Sequence, residues 1–567
     1  MPPVRVFTLL ASAAACGAAG RAPLDFDVLV YGASPGGIAA AISAANATPG
    51  ALTVALLEPT PYVGGMSGPG GIGLRDTAAP ATDGGAGTVQ HAWLTCIAAA
   101  YETGEPGARA ASVRQADYNV SQACWDALVA SPRYNLTVVR LAQLDEAPDA
   151  VVRDGLKIVS MRTTDGRVWS ARVFVDATYE ADLMMRVAKF TVGREANTTY
   201  GEPLAGVLAV TTFQQFPAGL DPAWPNGTLL DGVEPADAMP PPGSADDRVM
   251  PSSYRLCLTK DKNNSVPWPR PESYDVAQFE LLVRWAVMQG GAGIDSFVAT
   301  YPYYGYPASA TRPMKYDLCE DGALSTDQPS HLYTEYVTAS YARRVEIRGI
   351  VRNWVAGWAY TLANEPRVPA ATRASFSEYG LCADAWADNG YWPYQMYVRE
   401  GARLVGDAVM TQQNTIRGEC VPTAIALGSW RIDIHLMRRH ASVMAGRAST
   451  QNEGELGGPD LPGTGGVYEV PYSAIVPRRA DVSNLLVPVT PSTSHVVQGS
   501  LRVEPAFMAL GTAAGVAAAL AAETGAAVQD VDAGALQAGI AATTQCFHWG
   551  GAACSTAPCA YGGAPRS

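Results

Sequence analysis

Short apolar runs separated by small-residue turns dominate the start of the chain. Residues 28–31 (VLVY) and 54–57 (VALL) are continuous apolar runs, which is typical of strands buried in a parallel sheet. Residues 35–47 lie between them and are rich in Gly and Ala, which predicts a closely packed helix. The order of strand, glycine turn, helix and strand predicts a βαβ unit.

The turn after the first strand has the glycine spacing of a dinucleotide-binding site. Gly32 permits a tight turn, and Gly36-Gly37 let the backbone approach a pyrophosphate at a helix N-terminus. Ser34 replaces the usual middle glycine, with Pro35 beside it. Glu58 ends the second strand, where an acid accepts hydrogen bonds from a ribose. We predict an adenine dinucleotide site, the alternative being an ordinary βαβ unit with a small-residue turn.

Two further segments favour FAD over NAD. After the second strand come the predicted cofactor-binding residues Gly64, Gly65, Met66 and Ser67. In large flavoproteins such a segment passes beneath the ribityl chain and the flavin ring. Near the C-terminus, residues 494–525 supply the predicted contacts Ser494, Glu504 and Gly511. Glu504-Pro505 resembles a helix start, so the final helix is predicted over about 505–523, its positive end facing the flavin.

These segments resemble a known family. The chain is similar to the FAD-dependent oxidoreductase family of glycine-fingerprint flavoproteins, distantly related to fumarate reductase flavoproteins, some of whose members are labelled xanthan lyase. The resemblance covers nearly the whole chain after residue 25. Its segments include YGASPGGIAAAI (31–42), FVDATYEADL (174–183), LGSWRIDIH (427–435) and SHVVQGSLRVEPAFMALG (494–511). It implies FAD as the cofactor, cofactor contacts from Ala177 and Thr178, and an oxidoreductase acting on a small molecule.

The predicted fold class is α/β, with a split Rossmann-like FAD-binding domain and an inserted α+β cap that contacts substrate. The predicted parts are a signal peptide (1–22), the first part of the FAD-binding domain (25–184), the cap (185–480), the last part of the FAD-binding domain (481–525) and a Cys-containing tail (526–567). Strands are predicted within 135–144, 155–163, 167–178 and 484–490. Residues 216–250 predict a loop, and residues 397–406 a helix.

Candidate chemistry is predicted next to the flavin. His495 is the first candidate for a base or orienting donor, with Arg502 beside it, and His435 is the second candidate. The alternative for each histidine is a structural role. Arg399-Glu400 and Arg403 predict a buried salt-bridge network. Two more cations, Arg255 and Lys315, could anchor an anionic substrate or pair with acids. No metal-binding motif occurs, and no metal site is predicted.

Composition and charge restrict the class of partner. The net charge of −13 and the absence of basic clusters argue against nucleic-acid binding. The N-terminal apolar run is too short to span a bilayer comfortably, and the resemblance implies that the small-residue helix near the C-terminus is a core helix, so we predict no integral membrane segment in the mature chain. The expected activity is oxidation of an alcohol, amine or carbohydrate. The electron acceptor is open, with dioxygen as one option. The alternative is a carbohydrate-processing lyase with a structural or transiently redox-active flavin.

The N-terminus and the cysteines predict a secreted or lumenal protein. Arg5 precedes an apolar run and small residues suited to signal cleavage near residues 19–22. Possible N-glycosylation sites are Asn46, Asn119, Asn135, Asn197, Asn226 and Asn263, of which Asn226 and Asn263 are favoured. The chain has 10 cysteines, and the cluster Cys546, Cys554 and Cys559 predicts a disulfide in the tail.

Overall fold

The computed structural model describes residues 24–48, 50–72, 87–101, 116–209, 213–302, 314–416, 420–457 and 466–549. The predicted signal peptide, Cys554 and Cys559 lie outside the described residues.

Strands and helices are numbered here in chain order. The strands are β1 (Leu24–Tyr31), β2 (Val54–Glu58), β3 (Leu136–Arg140), β4 (Val151–Asp154), β5 (Lys157–Arg162), β6 (Val168–Asp176), β7 (Phe190–Thr191), β8 (Leu256–Thr259), β9 (Ser265–Val266), β10 (Ala299–Pro302), β11 (Lys315–Cys319), β12 (Gly380–Cys382), β13 (Arg403–Leu404), β14 (Ala424–Gly428), β15 (Arg438–Met444), β16 (Arg447–Glu453), β17 (Tyr468–Pro471) and β18 (Leu485–Leu486). The α-helices are α1 (Pro35–Ala47), α2 (Val89–Ala100), α3 (Tyr118–Val129), α4 (Met184–Val187), α5 (Asn197–Tyr200), α6 (Glu280–Met288), α7 (Leu332–Thr338), α8 (Tyr341–Asn364), α9 (Ala370–Glu378), α10 (Gln412–Ile416), α11 (His495–Leu501), α12 (Glu504–Thr524) and α13 (Ala533–Ala542).

The first sheet is seven-stranded, with the order β3-β2-β1-β6-β5-β4, and β18 pairs with β6. Strands β1, β2, β3, β6 and β18 run parallel, while β4 and β5 pair antiparallel. The register places Val30 beside Leu56 and Val175, and all three side chains are fully buried. This is a Rossmann-like sheet built from distant parts of the chain, as predicted, because β18 joins it from residues 485–486.

Helices α1 and α12 pack so closely that their main chains touch. A Cβ atom added at Gly511 would lie 2.0 Å from the carbonyl oxygen of Gly36, and one added at Gly515 would lie 2.2 Å from that of Ala40. Glycine is therefore required at both positions of α12 by close approach rather than by backbone angle. The contact brings the start of α12 next to the glycine turn after β1.

The region predicted as the cap contains a second, antiparallel sheet with the order β10-β11-β8-β12-β9. The long helix α8 packs against α9 and buries Trp354, Trp358 and Leu362. One continuous hydrophobic cluster includes side chains of both sheets, such as Leu29 of β1 and Leu258 of β8. The cap and the Rossmann-like part therefore share one hydrophobic core.

The predicted strands within 135–144, 155–163, 167–178 and 484–490 are confirmed by β3, β5, β6 and β18, and the final helix by α12. Residues 216–250 contain no α-helix or strand. The predicted helix over 397–406 is wrong, because this segment is extended and ends in β13. Its charged side chains are buried and pair with carboxylates from distant parts of the chain, Arg399 with Glu320 and Asp327 and Arg403 with Glu195.

Two disulfides are defined, and both join neighbouring elements. Cys96–Cys124 connects α2 to α3, and Cys257–Cys382 connects β8 to β12 in the cap sheet. Cys420 and Cys546 are also disulfide-bonded.

The described part of the chain contains one helix, α12, that is long and apolar enough to cross a membrane. Of its apolar 18-residue stretch, 89% is buried inside the protein.

The contact between α1 and α12 predicts a stability difference between two glycines. We expect Gly511→Ala to lower the apparent Tm, because the new methyl group meets the Gly36 backbone and overpacking costs about 1–3 kcal/mol. The matched control is Gly349→Ala on α8, where no atom lies within 4 Å of the new methyl group. This variant should gain about 0.5–1 kcal/mol from helix propensity. Equal Tm values for the two variants would contradict the packing argument.

Candidate active site

The start of α1 is held by Ser34, the residue that replaces the usual middle glycine. Its hydroxyl oxygen accepts from the backbone N–H of Gly37 at 3.2 Å and caps the helix. The same hydroxyl donates to the carbonyl oxygen of Ala177 at 2.8 Å and so joins the turn to the end of β6. Pro35 occupies the first turn, where its missing N–H leaves no donor unsatisfied. Ser34 therefore fits the fingerprint by fixing the helix end.

The turn leaves backbone hydrogen-bond donors without protein acceptors at the N-terminus of α1. Within the described residues, the backbone N–H groups of the buried residues Ser34 and Gly36 donate to no protein acceptor. A Cβ added at Gly32 would lie 2.7 Å from the carbonyl carbon of Ala177, and one added at Gly37 would lie 1.9 Å from the Gly32 carbonyl oxygen. The result is a cradle of free N–H groups at a positive helix end, which suits a pyrophosphate.

Glu58 lies buried at the end of β2, beside this cradle. Its carboxylate accepts from the N–H groups of Ala33 at 2.7 Å and Thr60 at 2.8 Å. Burial raises the pKa of Glu58 to about 7, although both N–H groups act in the opposite direction. A carboxylate in this position can accept hydrogen bonds from ribose hydroxyls. The residues predicted to hold the dinucleotide by its adenosine and pyrophosphate therefore lie together.

The second glycine-rich segment packs against two aromatic side chains. A Cβ at Gly64 would lie 2.4 Å from Trp125, and one at Gly65 would lie 2.3 Å from the hydroxyl of Tyr179. The same hydroxyl accepts from the backbone N–H of Met66 at 2.9 Å and donates to Glu504 at 2.7 Å. Tyr179 thus connects three of the predicted cofactor segments: the glycine-rich segment, the chain after β6 and the start of α12.

The other predicted cofactor residues lie around the same region. Ser67 accepts from the indole N–H of Trp125 at 3.1 Å, and the Thr178 hydroxyl donates to Asp176 at 2.7 Å. Ser494 caps the short helix α11 and donates to Glu202 at 2.7 Å. These contacts hold the backbone in place.

A cavity of about 260 Å³ lies beside the start of α12. It is bounded by the ends of β8 and β11, by Tyr397, by the segment after β14 and by the residue Arg502 that precedes α12. Its lining residues are Arg255, Tyr301, Cys319, Glu320, Asp321, Tyr397, Trp430, Arg431, Asp433, His435 and Arg502. The end of the glycine-rich segment is close, because a Cβ at Gly71 would lie 3.7 Å from the carbonyl oxygen of Arg255. The cavity therefore adjoins the predicted flavin segment.

His435 is held in this cavity wall by buried acids. Its Nδ1 lies 2.7 Å from Asp327, and its Nε2 lies 3.9 Å from Asp433. Burial and the charge of Arg399 lower the pKa of His435, but Asp327 and Asp433 outweigh them, and the pKa lies above the ordinary histidine value. A carboxylate that orients one ring nitrogen and stabilises the imidazolium is the usual support of a histidine base.

Arg502 and Tyr397 form a second pair in the cavity wall. The Arg502 guanidinium donates to the Tyr397 hydroxyl at 2.6 Å and to the carbonyl oxygen of Asp433 at 3.0 Å. Arg502 lies two residues before Glu504, so its positive charge is fixed at the start of α12. Two of the three predicted catalytic residues, His435 and Arg502, thus line one cavity.

His495 lies in a different environment. It begins the helix α11, so a complete short helix separates it from Arg502. Its Nδ1 lies 2.9 Å from Glu400, which also pairs with Arg403. Arg403 pairs further with Glu195 at 2.6 Å. The predicted salt-bridge network around Arg403 is confirmed, and His495 is part of it.

The sequence identifies Arg255 and Lys315 as candidate substrate-binding cations but does not identify Arg431. Arg255 pairs with Asp317 and Glu320, and Lys315 pairs with Asp384 at 2.6 Å, so both cations have acid partners. The sequence analysis did not single out Arg431 and Asp433, although both lie in the segment LGSWRIDIH beside His435. It also missed Asp327, which no local pattern links to His435, because the two are 108 residues apart.

Together, the Rossmann-like sheet, the free N–H groups at the start of α1 and the buried Glu58 fit a dinucleotide cofactor. The chain matches the family of FAD dependent oxidoreductases over residues 27–540, and it belongs to that family. FAD is therefore its cofactor and oxidoreduction its class of reaction. No curated protein matches the chain.

Several solved structures are similar to part of this chain. A myxobacterial chondrochloren halogenase, described as a variant of FAD-dependent halogenases, is 19% identical over 30% of this chain and 41% of its own, with a TM-score of 0.23. L-Proline dehydrogenase from P. horikoshii is 19% identical over 31% of this chain and 25% of its own, with a TM-score of 0.16. A flavin-containing monooxygenase from Stenotrophomonas maltophilia is 18% identical over 31% and 43%, with a TM-score of 0.19. The chain therefore spans less than half the length of each.

The buried position of Glu58 predicts its effect on cofactor retention. Glu58→Gln should weaken FAD binding about 10- to 150-fold, because hydrogen bonds to a charged acceptor contribute about 1.5–3 kcal/mol. The measurement is the dissociation constant for FAD, obtained by titrating apoprotein and following flavin fluorescence. Glu346→Gln on the exposed face of α8 is the matched control and should bind FAD like the parent protein. Unchanged affinity in Glu58→Gln would exclude the ribose contact.

Proposed function

We propose that this protein oxidises a small polar substrate, an alcohol or amine, in the cavity beside α12, with His435 as the base. The observation that carries the proposal is the pairing of His435 with Asp327 in the wall of a cavity that also contains Arg502. A buried histidine supported by a carboxylate is suited to accept a proton from a hydroxyl or ammonium group. The start of α12 supplies the fixed positive charge.

The chemistry divides between the cofactor and the chain. The turn after β1 and Glu58 would hold FAD, which would supply the hydride-accepting chemistry. Neutral His435 accepts the proton of a substrate hydroxyl or ammonium group, so that loss of the hydride leaves a carbonyl compound from an alcohol and an iminium ion from an amine. Asp327 holds Nδ1 and stabilises the imidazolium that results. Arg502 keeps positive charge at the start of α12, where Tyr397 and Asp433 fix its guanidinium.

His435 and His495 can be compared directly. We expect His435→Gln to keep FAD bound but slow flavin reduction about 10²- to 10⁴-fold, which is the usual contribution of a general base. His495→Gln is the matched control, because its ring pairs with Glu400 outside the cavity lining and is not required as the base. Stopped-flow absorbance under anaerobic conditions measures the rate, after a panel of hydroxy acids, sugars and amines has identified a reducing substrate. A slow His495→Gln with a normal His435→Gln would reverse the assignment.

The pH profile separates a base from a structural histidine. A base works only when neutral, so kcat/KM should fall as the pH drops through the raised pKa of His435. Asp433→Asn removes one acid that raises this pKa, and the acidic limb should therefore move to lower pH. A limb that stays in place would argue against His435.

Flavin bleaching by substrate also distinguishes oxidation from the alternative, a lyase reaction, which would form product without bleaching.

We further propose that the protein folds in the secretory pathway. Two disulfide bonds support this, since disulfides persist in oxidising compartments. The favoured glycosylation residues Asn226 and Asn263 are exposed, as the modification requires.

The secretory proposal predicts glycans at defined positions. Protein secreted from a eukaryotic host should lose mass on treatment with an N-glycosidase, and Asn226→Gln and Asn263→Gln should each remove one step of that loss. Asn353→Gln, which lies outside any N-x-S/T triplet, is the control and should leave the mass change intact. Retention of the chain inside the cell without a mass change would contradict the proposal.

A further inference from the structure

We propose that Arg431 binds a carboxylate group of the substrate, so that the substrate is a small organic acid bearing a hydroxyl or amino group. The inference uses the cavity of the proposed function but depends on a different side chain. Arg431 lies in the cavity wall, four residues before His435. The proposal for Arg431 concerns which substrates bind, whereas the proposal for His435 concerns how they are oxidised.

Three arginines line the cavity, and two of them are already engaged. The Arg255 guanidinium donates to Asp317 at 3.0 Å and lies 3.1 Å from Glu320. The Arg502 guanidinium donates to Tyr397 and to the main chain of Asp433. These contacts use the guanidinium groups to hold the walls of the cavity together.

Arg431 is different. Among the described residues, no carboxylate lies within 4.0 Å of its guanidinium, and its buried Nε has no hydrogen-bond partner. A buried donor without an acceptor is costly in a folded protein, and a ligand that supplies the acceptor removes the cost. A carboxylate is the acceptor whose two oxygens match the guanidinium fork.

The guanidinium of Arg431 is also fixed in direction. It lies over the ring of Trp430, with 5.1 Å between the central carbon and the ring centroid. Trp430 is itself held, since its indole N–H donates to Asp433 at 3.3 Å. A cation held on an aromatic face loses little further freedom when an anion binds, which favours affinity.

The acids of the cavity do not oppose this assignment. Glu320 pairs with Arg255 and Arg399, Asp433 lies 3.4 Å from Arg502, and Asp321 accepts from the Tyr301 hydroxyl at 3.2 Å. Each acid therefore has its own donor. The volume of about 260 Å³ is below the usual range for drug-sized ligands, roughly 300–1,000 Å³, and indicates a small substrate.

The test compares acids with neutral molecules of the same shape. The probes are malonate against malonamide, lactate against lactamide, and galacturonate against galactose, titrated into FAD-loaded enzyme. Binding is measured by isothermal calorimetry and by the shift of the flavin absorbance. We expect at least one acid to bind more than 10-fold tighter than its neutral partner. We expect Arg431→Gln to abolish this preference while the exposed Arg447→Gln retains it.

Arg431→Lys keeps the charge but not the fork, and should retain only part of the preference. This variant decides the question if Arg431→Gln loses FAD or unfolds. The proposal is overturned if no acid is preferred by the parent enzyme, or if either Arg431 variant keeps the full preference. Because binding is measured without turnover, a normal flavin reduction rate in His435→Gln would refute the proposed base and leave the carboxylate site standing.

Discussion

Helices α1 and α12 touch main chain to main chain, with Gly511 against Gly36 and Gly515 against Ala40. Helix α1 begins at the phosphate cradle and α12 begins at Glu504, so one contact fixes two helix ends that are more than 450 residues apart in sequence. The Tyr179 hydroxyl then joins Glu504 to the glycine-rich segment. A longer side chain at either glycine would separate the cofactor cradle from the cavity. The position of the site thus depends on the absence of side chains at two positions.

Buried ion pairs fix the arrangement of the loops in the cap. Arg399 is fully buried between Asp327 and Glu320, and Arg403 is fully buried between Glu400 and Glu195. Ion pairs of this kind add little net stability compared with apolar packing, but the loss of one partner is costly because a charge is left without compensation. Their effect is therefore geometric: they hold distant loops in one arrangement. His435 and His495 each depend on one of these networks for their orientation.

The sequence predicts the residues of the cofactor site but only some residues of the cavity, and the reason is physical. The phosphate cradle is a local object, in which Gly32, Gly36 and Glu58 follow one another within one βαβ unit. The cavity is assembled from the ends of strands and from loops that meet only in the folded chain. His435 could be named from its segment, but its partner Asp327 could not. The segment 397–406 was misjudged because helix propensity is a local signal, whereas its conformation is set by carboxylates from elsewhere.

The composition of α12 has a consequence for the biosynthesis of the chain. It has the length and mean apolarity of a membrane-spanning segment, yet it achieves them largely with Ala and Gly rather than with Leu, Ile or Phe. The translocation machinery sorts segments by the free energy of entering lipid, to which the large apolar residues contribute most. Small residues therefore serve two needs in one helix. They permit backbone contact in the folded core, and on the proposed secretory route they would keep the helix from being retained in the membrane.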